Sequence, residues 1–395
     1  MISNNGSPEA SVATRVPFAT DAAASGAEHV EQPVPYDAIV LAGFGGPEGH
    51  DDVIPFLRNV TRGRGIPDER LEEVAHHYRH FDGVSPINAQ NRALKAALEA
   101  ELASRGVDLP VLWGNRNWDP YLRDALHEAV GRGFTRLLGL ATSAYSSYSS
   151  CRQYREDFAL ALEQTGLGGA LQIDKVRQFF DHPGFVEPFV DGVRTAIAEF
   201  VERGIDRGAI RIVFSTHSIP SGDAERSGPR DRDFGEGGAY AAQHRAVAEV
   251  VVREAGTDIP WELVYQSRSG PPTQPWLEPD VNQVIAGFAG HGVEAVVIVP
   301  LGFVSDHMEV LWDLDTEATE AADELGIAVI RTPTPGTHPA YVRGLADLVL
   351  ERVNGTPTED RPALTELGPW YDVCRPGCCE NARLGFRPAI AGVAP

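Results

Sequence analysis

Lysine is almost missing from this 395-residue chain: it occurs only at Lys95 and Lys175, so nearly all positive charge is arginine. Basic residues number 34 against 56 acidic ones, a formal charge of −22. That excess repels phosphate backbones and leaves no basic stripe to receive them, which argues against DNA or RNA as a partner. Also lacking is any run approaching the roughly 18 uninterrupted apolar residues of a membrane span, so the chain reads as soluble. The first 33 residues, rich in Ala, Ser, Gly and Glu, show no hydrophobic period, no basic n-region and no apolar core of a signal peptide. They are expected to be a disordered extension of a cytoplasmic protein. Cysteine is scarce, at four residues. In a reducing compartment, thiols are more often metal ligands or catalytic groups than disulfides.

What is present is a hydrophobic fraction of 43%, enough for one large core or two of ordinary size. From Tyr36 onward, short β-branched runs alternate with longer amphipathic stretches, the pattern of βα units feeding a parallel sheet. Eight strands are expected, near Asp37 to Gly43, Leu109 to Gly114, Thr135 to Ala141, Ala170 to Arg177, Ile210 to Ser215, Trp261 to Gln266, Ala295 to Pro300 and Ile327 to Arg331. Several are apolar almost throughout, as strands covered by helices on both faces should be.

An internal echo divides the eight into two sets of four. His182-Pro183-Gly184-Phe185-Val186 follows the fourth strand, and His338-Pro339-Ala340-Tyr341-Val342 follows the eighth. In each, Pro sits where a helix would start and needs no backbone donor. The expected fold is α/β, with two similar Rossmann-like lobes. The expected divisions are the extension at 1–33, a first lobe at 34–188, a second at 189–353 and a tail at 354–395. The tail, a Pro- and Gly-rich stretch around three of the cysteines, needs a cross-link or a groove on the main body.

In open α/β sheets, ligands bind beyond the carboxyl ends of the strands, so reactive groups belong in the loops there. After the fifth strand, Ser215-Thr216-His217-Ser218-Ile219-Pro220 projects an imidazole. After the seventh, Glu309, Asp313 and Glu317 recur every four residues, a carboxylate ladder along one helix face with His307 in the same turn. The plainer alternatives are a hydrogen-bonded core histidine at 217 and a solvated acidic face capped by Asp306.

The segments Ser-Thr-His-Ser-Ile-Pro (215–220) and Ser-Asp-His-Met-Glu-Val-Leu-Trp-Asp-Leu-Asp (305–315) resemble the signature segments of ferrochelatases. Also similar are Gly43-Phe44-Gly45-Gly46-Pro47-Glu48, Gly83-Val84-Ser85-Pro86-Ile87, Gly114-Asn115-Arg116-Asn117, Tyr265-Gln266-Ser267 and Pro275-Trp276-Leu277. The resemblance implies a chelatase-like fold with a porphyrin cleft between its lobes, and insertion of Fe²⁺, the metal substrate, into the ring. It implies that His217 and Glu309 are catalytic, facing each other across the porphyrin plane, and that His307, Asp313 and Glu317 form the rest of the acidic path. Phe44, Tyr78, Ser85, Arg116 and Trp276 match cleft-lining positions. Metallation must strip two pyrrole protons and dehydrate the ion, tasks suited to an imidazole titrating near neutrality and to weakly held oxygen ligands.

Cys374, Cys378 and Cys379 crowd into one Pro-Gly turn, with Cys151 far upstream. Four thiolates suit a [2Fe-2S] cluster or a structural zinc. The resemblance favours the cluster, which would tie the tail to the first lobe. The arginine-rich composition and tail cysteines are similar to actinobacterial ferrochelatases, which implies coproporphyrin III rather than protoporphyrin IX as substrate, with Arg62 and Arg64 near the extra carboxylates. It also implies a monomer in transient contact with neighbouring haem-pathway enzymes. Two alternatives stay open: a chelatase placing cobalt or nickel in sirohydrochlorin, and a non-catalytic porphyrin-binding protein.

Overall fold

The computed structural model describes residues 27–63, 65–269, 273–380 and 387–392, so Arg64 lies outside the described residues. All eight expected strands form: β1 Ala38–Gly43, β2 Val111–Asn115, β3 Arg136–Ala141, β4 Gln172–Lys175, β5 Ile210–His217, β6 Trp261–Gln266, β7 Ala295–Val299 and β8 Ala328–Arg331. They build two parallel four-stranded sheets ordered β2-β1-β3-β4 and β6-β5-β7-β8, one topology used twice. Every residue of β1 and of β7 is buried, because helices cover both faces of each sheet. β5 extends two residues beyond its expected end. The extension pairs Thr216 with Tyr265 and His217 with Gln266.

The two echoed segments do the same local work. His182 and His338 each cap the following helix, accepting through Nδ1 from Gly184 N at 3.1 Å and from Ala340 N at 3.3 Å. Their helices, Pro183–Glu202 and Pro339–Asn354, pack against each other. The approach is close enough that a Cβ on Gly184 would lie 2.5 Å from Ala340 O. Phe185, Phe189 and Tyr341 from this pair join Ile39 and Leu140 of the first sheet and Ile212 and Phe214 of the second in one core. Separate clusters cover the outer faces of the two sheets.

Two boundaries differ from expectation. The helix Pro183–Glu202 runs unbroken through residue 188, so no lobe ends there. By its match to the helix Pro339–Asn354, it belongs to the first repeat. Residues 27–33 were assigned to the disordered extension, yet Val30 is buried and its amide donates to Asp372 Oδ2 at 2.8 Å. Further bonds from the tail hold this polar segment: Val373 N to Glu28 O at 3.0 Å, Arg361 to Val30 O at 3.0 Å and Thr358 N to Glu31 Oε1 at 2.9 Å. The tail is likewise packed: Trp370 is fully buried, and Lys175 Nζ donates to Tyr371 O at 2.8 Å. Among the described residues, no helix is long and apolar enough to cross a membrane.

Candidate active site and cysteine centre

His217 ends β5, and its Nδ1 bonds the carbonyl of Ser218, which turns Nε2 outward. Glu309 Oε2 lies 3.5 Å from that Nε2. A flat macrocycle needs about 3.5–4.0 Å of contact distance on each face, so it cannot pass between two groups this close. The expectation that they face each other across the ring does not agree with this arrangement, in which the two groups are in direct contact. Both keep contact with solvent, His217 with a third of its side chain exposed and Glu309 with half.

The acidic helix is placed by the end of β6. Gln266 Nε2 donates to Glu309 O at 3.0 Å and to Asp313 Oδ2 at 3.2 Å, while its Oε1 accepts from Ser215 Oγ at 2.7 Å. Ser267, in the left-handed region at φ 61°, adds a bond from its hydroxyl to Asp313. These two residues carried part of the family resemblance, but nothing in their spacing assigned them this clamp. Gly302 is needed where the loop after β7 crosses β5, since a Cβ there would overlap the Thr216 hydroxyl.

The helix itself departs from expectation. It is capped by the ring of His307, which accepts from Glu309 N at 3.2 Å. Asp306 instead takes Arg331 and Thr334, each at 3.1 Å. From Leu311 to Ala318 the turn is π-helical, with Thr316 and Thr319 hydroxyls donating to carbonyls five residues back. Glu309, Asp313 and Glu317 each have a separate partner: His217, Ser267 and Trp312 Nε1, the last at 2.9 Å. Among the described residues, no three or more His, Cys, Asp or Glu side chains gather as a ready-made metal-ion site. The acids form a series of separate stations.

Electrostatics follow from this geometry. Burial works to lower the His217 pKa, but Glu309 outweighs it and raises the imidazole to about 9. Burial works to raise Glu309, yet His217 pulls it down to about 2. Asp313 is pushed up to about 7, chiefly by burial, with the charge of Glu309 adding to it. Burial lowers His307 below its ordinary 6.5. At neutral pH His217 and Glu309 are thus an ion pair, not the free base expected from sequence. Glu309→Gln should drop the His217 pKa well below about 9, since burial then faces only the weaker pull of the Ser218 carbonyl and Asp313. NMR titration of the ring reads this directly; an unmoved pKa would mean that Glu309 is not its partner.

Across from this pair, the first repeat contributes an aromatic wall. Phe44, Tyr78 and Trp118 pack around Phe56, and the charge of Glu309 reaches Tyr78, whose pKa is raised by burial and then by that charge. Trp276 bridges to Pro220 beside His217, its Nε1 buried without a partner. Ser85 is buried, its amide donating to Pro47 O at 2.9 Å. Arg116, expected to hold ring carboxylates, is ion-paired with Asp157 and stacked on Tyr154, which ties its guanidinium down beneath the wall. Arg62 is exposed, bonded to Asn59 Oδ1 at 2.5 Å, and makes no ion pair among the described residues.

The four cysteines meet in one buried cluster, none in a disulfide. Cys151 lies in a π-helical turn, Tyr148–Arg152. Cys378 and Cys379 sulfurs are 3.8 Å apart, and Gly228 N donates to Cys379 Sγ at 3.1 Å. Hydrogen bonds from Cys151 and Cys378 hold the Cys374 and Cys379 thiols below their ordinary range. Two buried cations stand nearby. Among the described residues, the Arg155 side chain bonds the carbonyl of Ile390, at 2.7 Å, and Lys175 bonds backbone carbonyls, neither of them an acid. A buried cation without an acid is costly, and the thiols are the groups that can supply the missing negative charge. The donor chemistry is that of a four-thiolate centre, while the described side chains do not meet as a ready-made metal-ion site.

The family model described as Ferrochelatase matches residues 36–353. The chain belongs to the ferrochelatase family. The coproporphyrin III ferrochelatase of Leifsonia xyli subsp. xyli is 72% identical over 386 residues, covering 95% of this chain and 99% of the relative. That of Tropheryma whipplei strain Twist is 60% identical over 364 residues, covering 91% and 93%. Among solved structures, SirB from Bacillus subtilis with Fe3+ is similar at 11% identity and a TM-score of 0.46, over 84% of this chain and 100% of its own. Against these ferrochelatase relatives, the acidic helix and His217 lie inside the matched span, whereas Cys374, Cys378 and Cys379 lie beyond the family model.

Proposed function

We propose that this enzyme inserts Fe²⁺ into coproporphyrin III, using His217 and Glu309 on one face of the ring. The observation that carries the chemistry is the 3.5 Å contact between His217 Nε2 and Glu309 Oε2 with Asp313 behind it. Fe²⁺ moves along Glu317, Asp313 and His307, oxygen and imidazole ligands weak enough to hand it on. When the ion reaches Glu309 it neutralises the charge that keeps His217 protonated. The imidazole, a third exposed, then loses its proton to solvent and becomes the base for a pyrrole N–H. Asp313, titrating near 7, takes the second. Two protons leave the ring as one divalent ion enters, so charge balances.

Phe44, Tyr78, Ser85 and Trp276 line the ring, with Arg116 steadying Phe44 from below. Arg62 faces the carboxylates. Four carboxylates, against two in protoporphyrin IX, give this arginine more to bind. The relatives named for coproporphyrin III support that choice. In a competition assay with both porphyrins, purified protein should metallate coproporphyrin III in preference; preference for protoporphyrin IX would overturn the assignment. The enzyme acts as a cytoplasmic monomer that hands product to neighbouring haem-pathway enzymes.

Cys151, Cys374, Cys378 and Cys379 hold a [2Fe-2S] cluster. Bound there, it would supply a one-electron redox centre and a cross-link between tail and first repeat. Arg155 and Lys175 balance its charge. Two ferric irons, two sulfides and four thiolates sum to two minus, which the two cations match. Freshly purified protein should be coloured, and Cys374→Ser should bleach it. A colourless protein containing zinc would replace the cluster with a structural ion.

A further inference from the structure

Behind His217 lies a buried polar network that the chemistry above does not use. Tyr240, in the first turn of the helix Gly238–Ala255, donates its hydroxyl to His217 O at 2.9 Å and meets Thr216 Oγ1 at 2.8 Å. Thr216 Oγ1 in turn lies 2.9 Å from His244 Nε2, and His244 Nδ1 lies 2.7 Å from Tyr240 O. A carbonyl only accepts, so Nδ1 carries the His244 proton and Nε2 accepts from Thr216. Burial pushes His244 down to about 3, so the ring is neutral; with the one Thr216 hydroxyl proton donated to Nε2, the one Tyr240 proton is shared between His217 O and Thr216 Oγ1. Tyr145 stacks on the ring at 3.5 Å and closes it from the first repeat.

The same helix is anchored on two sides by segments that are bonded to cysteines. Tyr240 N donates to Ser227 Oγ at 2.8 Å, and the next residue, Gly228, donates to Cys379 Sγ. On the other side, Gln243 exchanges two bonds with Ser146, to its amide at 2.8 Å and its hydroxyl at 3.0 Å. Ser147 follows, and its carbonyl accepts from Cys151 N at 3.0 Å. Cysteines at opposite ends of the centre thus flank the turn that bears Tyr240.

We propose that Tyr240 is a positioning residue for His217, and that the cysteine centre fixes the turn from which it acts. This second half rests on the metal-centre reading above; the first does not. Displacing a reacting group by about 1 Å can cost 10²-fold in rate, so a carbonyl bond that sets the imidazole matters to turnover and not to porphyrin affinity.

The test uses full-length protein with its centre intact. Tyr240→Phe keeps the ring and removes the hydroxyl. It should lower kcat roughly tenfold or more while KM for porphyrin, the visible spectrum and the melting temperature hold. Wild-type kcat overturns the positioning role. Should the variant fail to fold, Thr216→Val against Thr216→Ser asks the same question, with the serine expected to restore turnover. Hydrogen exchange then reads the link. In wild type, removing the metal should speed exchange in peptides spanning 214–220 and 224–240. In loaded Tyr240→Phe only the first should speed up. Exchange at 214–220 that ignores metal in wild type overturns the link. Protein that carries no metal as purified overturns the metal-centre reading alone, and leaves the kcat result to decide the role of Tyr240.

Discussion

His217→Ala should cost about 10²–10⁴-fold in metallation, the range for loss of a positioned acid-base group. Porphyrin binding should survive, because the aromatic wall of Phe44, Tyr78 and Trp118 belongs to the other repeat. The loss has two sources. No imidazole remains to take a pyrrole proton, and Glu309 loses the partner that holds its pKa at about 2. An unpaired Glu309 in that setting binds protons more readily and competes less well for iron. Fluorescence quenching by porphyrin separates binding from turnover. Retained turnover would place the base elsewhere, whereas unchanged binding with turnover gone excludes a passive porphyrin carrier. A wild type with no turnover of either porphyrin would favour that carrier instead.

Much of this was legible in the chain, and the parts that were not share a cause. The strands were visible because each is a short apolar run covered on both faces, a property local to the run. His217 was visible because a strand's carboxyl end is where an open sheet presents chemistry. The acidic spacing was visible too, but not that Leu311–Ala318 widens into a π turn, which depends on Thr316 and Thr319 bonding five residues back. Nor could spacing show that His217 and Glu309 lie 3.5 Å apart, a distance between two loops. The anchoring of Val30 by Asp372 spans 342 residues and leaves no periodic trace. The echo at His182 and His338 is the exception: a long-range packing relation written locally, because duplication copied the cap along with the helix.

That long-range anchoring carries the largest stability effect expected of the molecule. Asp372 is fully buried, with Arg361 Nη1 at 2.7 Å and Arg352 Nε at 3.9 Å. Arg361 also reaches Val30 O at 3.0 Å and Thr356 O at 2.9 Å, so one carboxylate gathers the start of the described chain, the tail and the last long helix. Burial works to raise the Asp372 pKa, but Arg352 and Arg361 hold it below the ordinary 3.8. The stability it contributes is therefore present above that value and lost as pH falls through the folded pKa. Asp372→Ala leaves a buried guanidinium uncompensated and should cost about 3–5 kcal/mol in urea unfolding. Replacing both partners, Asp372→Leu with Arg361→Met, should cost much less, because no unpaired charge is left behind. If the single and double variants unfold at the same urea concentration, the penalty belongs to lost packing and not to the stranded charge.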